Sequence, residues 1–189
     1  MSDTSRPEAH AVIDTVEWLA WSVEQTLLDW WRAKSEGAPF RGSKYARNLI
    51  EDLRKLHDTV MHARRLVSTP AEKEGHERLS NALRRFRDQL GVSHDELKWA
   101  DNAIGHPEGV LAGGLASEPF GGVVTATTAS VSSTAVRLGS RRAVHIHDLT
   151  VALVGPKLRV SVSAQAARIA ARRLASEAIA VLRALAGDA

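Results

Sequence analysis

Cysteine is absent from the chain, so neither a disulfide framework nor a thiolate metal site can form. No apolar run approaches the roughly 18 residues a membrane-spanning helix needs, so no membrane partner is expected. The opening MSDTSRPEAH is polar and carries both charge signs, which predicts no secretory signal and a cytoplasmic location. The glycine string GVLAGGLASEPFGG lacks a GKS or GKT ending and is no P-loop. There is no Gly-x-Ser-x-Gly elbow, and nothing resembles an RNA-recognition or zinc-finger signature. No cofactor is expected.

What is present describes an ordinary globular chain of 189 residues, 44% hydrophobic and 25% charged, enough for one domain with a real core. The formal charge of +3 is unevenly spread. Residues 1–108 carry 16 Lys and Arg against 18 Asp and Glu, whereas residues 109–189 carry 9 against 4. Arginine outnumbers lysine 19 to 6, a composition that suits phosphate or carboxylate recognition.

The first 108 residues read as helices with clear punctuation. Ser5, Pro7 and Glu8 supply a cap, an early proline and an acid at the positive end of the dipole, predicting a helix to about Lys34. Val12, Val16, Leu19, Val23, Leu27 and Trp30 mark one face; Trp18, Trp21, Leu28 and Trp31 cover another. A helix apolar on two faces needs two things to pack against. Trp18, Trp21, Trp30 and Trp31 are therefore candidate binding residues, for a homodimer or another protein partner.

A second helix is predicted over about 43–67, with Ala46, Leu49, Leu53, Leu56, Val60, Ala63 and Val67 as its stripe. Thr69, Pro70 and Glu72 announce a third, which carries Leu79, Leu83, Phe86 and Leu90 and stops at Gly91. Ser93 and Glu96 form a capping box for a fourth, stapled by Val92 and Leu97 and ended by Gly105 and Pro107. Residues 105–122 hold six of the thirteen glycines. VVTATTASVSSTAVRL reads as one or two strands, and AVHIH with LTVALVGPKLRVSV as a hairpin region with a Gly-Pro turn. A closing helix runs from the Ser163 cap to Gly187, with Ala167, Ala171, Leu174, Ala178, Val181 and Leu185 inward.

The expected architecture is mainly α: a helical bundle of about five helices with a small antiparallel β-insertion, about residues 123–162, before the last helix. In domain terms, 1–108 form the bundle, 109–162 the glycine-rich loop and insertion, and 163–189 the closing helix, one domain overall.

The stretch DNAIGHPE resembles the motif of the HEPN superfamily, helical-bundle proteins common in prokaryotic defence and toxin–antitoxin systems. Active members carry Arg, a polar residue that is often Asn, three to five more positions, then His, often followed by Pro. The resemblance places Asn102 at the polar position and His106 at the histidine, followed by Pro107 and Glu108, and covers about residues 10–108 plus the closing helix. It implies a dimer that cuts RNA without a metal, the histidine handling the 2′-hydroxyl proton and the arginine holding the phosphate. Asp101 stands where the arginine belongs, which implies a non-catalytic or weakly active member unless Lys98 or Arg87 supplies the cation. His106 and Asn102 are thus the candidate catalytic residues.

Three Arg-x(4–6)-His spacings occur: Arg87 to His94, Arg141 to His147 and Arg142 to His147. The first has Asp88 after its arginine but straddles a helix stop and a new cap, so His94 reads as a first-turn residue. Arg141 and Arg142 are candidate anion-binding residues. His145 and His147 share a strand face with Asp148 nearby, but no third ligand lies at a recognisable spacing, so no metal site is expected. His57 and His62 are five apart and read as surface residues. Two further readings stand beside RNA cleavage: a non-enzymatic interaction module built on the tryptophan-rich helix, and nucleic-acid binding by the basic segment from Arg137 to Arg183.

Overall fold

The computed structural model describes residues 5–35, 42–67, 72–105, 123–128, 131–137, 143–147, 150–154 and 159–187. Its helices are α1 (Ser5–Ser35), α2 (Gly42–Leu66), α3 (Lys73–Leu90), α4 (His94–Gly105) and α5 (Ala164–Ala186). Between α4 and α5 run strands β1 (Val123–Thr128), β2 (Val131–Arg137), β3 (Ala143–His147), β4 (Thr150–Val154) and β5 (Arg159–Ser163). The mainly helical bundle with a β-insertion before its last helix is the architecture the sequence predicts.

Four helices close a ring in the order α1, α2, α3, α5, each touching the next, and α4 rides on the outside of α2. The inner stripes fill this ring. On α1, Val12, Val16, Leu19, Val23, Leu27 and Trp30 are all buried. On α2, Leu49, Ile50, Leu53, Leu56, Val60 and Ala63 meet them, with Val67 just past its end. Each large aliphatic residue so buried contributes about 1.5–3 kcal/mol relative to exposure. Alanines dominate the inner face of α5, including Ala167, Ala170, Ala171, Ala175 and Ala178, so its neighbours approach closely. Leu182 completes that stripe; Leu185, expected there, is only half-buried.

The caps are local chemistry made visible. Ser163 Oγ accepts from the Ala166 N–H at the start of α5, and Gly187 ends it at φ 81°. The helix α3 begins at Lys73, and the Thr69 and Pro70 expected to announce it lie outside the described residues.

The sheet has the order β2-β1-β3-β4-β5. Three of its ladders are antiparallel, whereas β1 and β3 pair in parallel, so the insertion is mixed rather than wholly antiparallel. The difference arises because β2 turns back onto the outer edge of β1, leaving the inner edge open to β3. β1 and β3 touch α2, β5 touches α4, and β5 continues directly into α5.

Candidate functional site

The α3–α4 corner builds the site. Gly91 takes φ 69°, and the N–H groups of Gly91 and Val92 both donate to the Arg87 carbonyl, at 2.8 and 3.3 Å. This left-handed stop turns the chain sharply. Ser93 then caps α4 reciprocally: its N–H donates to Glu96 Oε2 at 2.6 Å, and the Glu96 N–H donates to Ser93 Oγ at 3.2 Å. Val92 and Leu97 are both buried beneath this corner. The result is that Arg87, near the end of α3, and His94, at the start of α4, reach the same flank of α2.

That flank carries Arg54, His57 and Asp58, a spacing of three and four that shares one helix face. Arg87 Nη1 lies 3.1 Å from His57 Nε2, so that nitrogen accepts and the proton sits on His57 Nδ1. His94 Nε2 lies 2.7 Å from Asp58 Oδ1 and donates to it, leaving His94 Nδ1 as an acceptor. The two imidazoles stack at 4.5 Å between centroids and 17° between planes. Phe86 covers His57 from another side, its ring centroid 5.9 Å away. Arg54 ties the far end: its Nη1 donates to Asp58 Oδ2 at 2.7 Å and its Nε to Asp101 Oδ2 at 2.6 Å.

Burial differs sharply within the cluster. His57 is 1% exposed, His94 29% and Asp58 40%, so the site runs from the core to the surface. Burial first, then the neighbouring His94 imidazole and the Arg87 charge, push the His57 imidazole down to about 4. His57 is therefore a neutral, buried spacer at neutral pH, and its Nδ1 has no hydrogen-bond partner.

His57, Asp58 and His94 place ligating atoms within 4.8 Å of one another, the geometry of a candidate metal group. The donor directions suit it poorly. Nearly parallel rings send their lone pairs side by side rather than toward a common point, and a metal would have to open the 2.7 Å His94–Asp58 bond. The arrangement as it stands orients a histidine by a carboxylate, which is chemistry of proton transfer.

Sequence-predicted residues separate accordingly. His106, Arg141 and Arg142 lie outside the described residues; Asn102 lies on α4, with its side chain outside them. Asp101, read as a repulsive group in place of an arginine, is paired by Arg54 from α2, while Lys98 is exposed. His57, expected at the surface, is buried, because its position flanks the Leu53–Leu56–Val60 stripe under α3 and α4; His62 is exposed as expected. His145 and His147 sit on β3 in register with Thr125 and Thr127 of β1. Of the tryptophans, Trp18 and Trp21 are 55% and 59% exposed, whereas Trp30, expected on a binding surface, belongs to the core; the Trp31 side chain lies outside the described residues. Arg54, His57 and Asp58 were missed as site residues; their signal was an arginine, a histidine and an aspartate at three- and four-residue spacing on one helix flank.

Comparison with known proteins finds no match: no protein-family model, no curated protein and no solved structure matches this chain. Among the described residues, no helix is long and apolar enough to cross a membrane.

Proposed function

We propose that this chain is a HEPN-like protein acting on RNA, with Arg87 and His94 rather than Asn102 and His106 at its centre. The observation that carries this reading is the pairing of His94 Nε2 with Asp58 beside the Arg87 guanidinium. Arg87, Asp88, five further residues and His94 also fit the family's pattern of arginine, polar residue, spacer and histidine. Asp58 fixes the His94 tautomer, so Nδ1 accepts the proton of a 2′-hydroxyl. The 2′-oxygen then bonds to phosphorus, the phosphorus–5′-oxygen bond breaks, and the departing oxygen takes a proton from water. Arg87 holds the charge gathering on the phosphate, and Asp58 stabilises the imidazolium. Such an activity suits a defence or toxin–antitoxin setting.

The test is cleavage of single-stranded RNA by the full chain in excess EDTA, with products ending in 2′,3′-cyclic phosphate and 5′-hydroxyl. His94→Ala is expected to slow cleavage at least about 100-fold, the scale of losing a general base. Arg87→Ala is expected to cost a comparable factor, about 100-fold. His106→Ala should leave the rate unchanged. An inactive wild type, or a His94→Ala variant as fast as wild type, overturns the proposal.

A further inference from the structure

Along the outside of α1 runs a second regular pattern, independent of the core stripe. Asp14, Trp18, Trp21, Gln25, Leu28 and Arg32 follow one another at intervals of four, three, four, three and four residues, the heptad spacing of a coiled-coil seam. Trp18, Trp21 and Leu28 are more than half exposed, and Asp14 and Arg32 are exposed at the two ends, Arg32 with its Nη1 3.7 Å from Asp29 Oδ1 of the same helix. At roughly 150–250 Å² per aromatic side chain, the exposed parts of these three residues present on the order of 300 Å² of apolar surface. Patches of that size on a monomer are commonly functional.

We propose that this seam is an antiparallel interface with a second copy of the chain. The positions are symmetric about residue 23. Folding the seam onto itself antiparallel sets Asp14 opposite the partner's Arg32, Trp18 opposite the partner's Leu28, and Trp21 opposite the partner's Gln25. Each pairing occurs twice, as a two-fold axis requires. A parallel arrangement would instead set acid against acid at one end and arginine against arginine at the other. Charge therefore selects both the occupant and its direction.

The polar members fit as well. Gln25 Nε2 already donates to Asp29 Oδ1 at 2.8 Å, which leaves its carbonyl oxygen to accept from the partner's Trp21 indole N–H. Glu24, the acid flanking the middle of the seam, is already bonded to Arg172 of α5, so it brings little unbalanced charge to the two-fold axis. From Asp14 to Arg32 the seam spans about 27 Å. It covers less than the roughly 800 Å² per partner of a standard interface, so a micromolar dimer is expected.

Sedimentation equilibrium of the full chain across a concentration series tests this. The wild type is expected to dimerise with a Kd on the order of 10 µM. Trp21→Ala should raise that constant at least about tenfold, since a central aromatic anchor is removed. Asp14→Arg and Arg32→Asp should each weaken the dimer by about tenfold, because each sets like charges together at both ends. The double variant D14R/R32D should recover wild-type association, a result that only antiparallel pairing of these two positions produces. A monomer at every concentration up to about 200 µM overturns the proposal. So does a dimer indifferent to Trp21→Ala, or a double variant no better than the single ones. Trp21→Ala keeps the test decisive if a charge variant folds poorly. RNA cleavage is measured separately on the same variants, so loss of the seam and loss of cleavage are read as two distinct results.

Discussion

Beneath α4 and along the outside of α1, the chain departs from the usual division of polar inside from apolar outside, and it does so in opposite senses. Under α4 it buries a histidine completely and gathers two arginines, two aspartates and a second histidine around it. Along α1 it leaves two indoles and a leucine in water. Neither departure is needed to close the four-helix ring, whose inner stripes are almost wholly apolar. Local violations of an otherwise consistent pattern mark the places where a fold carries something besides stability. The polar cluster is held within the chain by four side-chain hydrogen bonds, with only His57 Nδ1 of its buried atoms left over, and so reads as a preorganised site. Among the described residues the tryptophan stripe has nothing packed over it, and so reads as half of a contact.

The widest gap between the two faces of α1 should appear on removing one tryptophan from each. Trp30 is 6% exposed against the core, so Trp30→Ala is expected to destabilise the fold by about 3–5 kcal/mol. Trp21→Ala, measured by urea unfolding at concentrations where the chain is monomeric, should change stability by no more than about 0.5 kcal/mol. Equal losses from the two changes would erase the distinction between inner and outer face.

A pH titration sharpens the other side of the comparison. His57 has an ordinary value of 6.5 in the unfolded chain and about 4 in the folded one. Above 6.5 both states are neutral and the full stability is present. As pH falls from 6.5 to 4 the unfolded chain binds a proton that the folded chain refuses, so stability declines, by up to about 3 kcal/mol, and levels off below 4. Asp52 works in the opposite sense. Burial raises its carboxyl above the ordinary value of 3.8 against the pull of the Ser22 hydroxyl, so the folded state gains its proton first and gains stability as pH falls through that range. The His57 slope should dominate, and His57→Phe, which keeps a ring against Phe86, should flatten it. A wild-type stability that stays level between pH 6.5 and 4 would contradict the buried neutral imidazole.

How much of this was legible follows from the range of each interaction. The Gly91 stop, the Ser93–Glu96 box and the Ser163 cap are settled within four residues, so the sequence displays them directly. The two faces of α1 were equally plain, since periodicity alone separates Val12–Val16–Leu19 from Trp18–Trp21–Leu28. The cluster was not. His57 was weighed against His62, its neighbour in sequence, whereas its partners Arg87 and His94 lie 30 and 37 positions away and arrive only when α3 and α4 fold over α2. Asp101 was read as an obstacle to phosphate for the same reason: nothing local announces that Arg54, 47 residues earlier, stands against it. The parallel pairing of β1 with β3 was hidden likewise, because turn signals predict neighbours in sequence but not which edge of a strand the chain returns to.

Arg54 itself gives the finest test of whether the polar side is built for function or for stability. Its side chain is 25% exposed and bridges Asp58 to Asp101, which is only 15% exposed. Arg54→Ala strands Asp101 and unpins the carboxylate that orients His94, and a pair this partly buried should be worth about 2 kcal/mol. Arg54→Lys keeps the charge but, lacking the planar fork, cannot hold both carboxylates at once. It should recover more than half of the stability, because either aspartate alone accepts the ammonium, yet recover little of the RNA cleavage, because Asp58 is then left to turn. A lysine variant that restores stability and cleavage together would show that Arg54 supplies charge alone. One that restores stability without cleavage would separate the carboxylate's aim from its neutralisation, which is the difference between a satisfied charge cluster and a preorganised site.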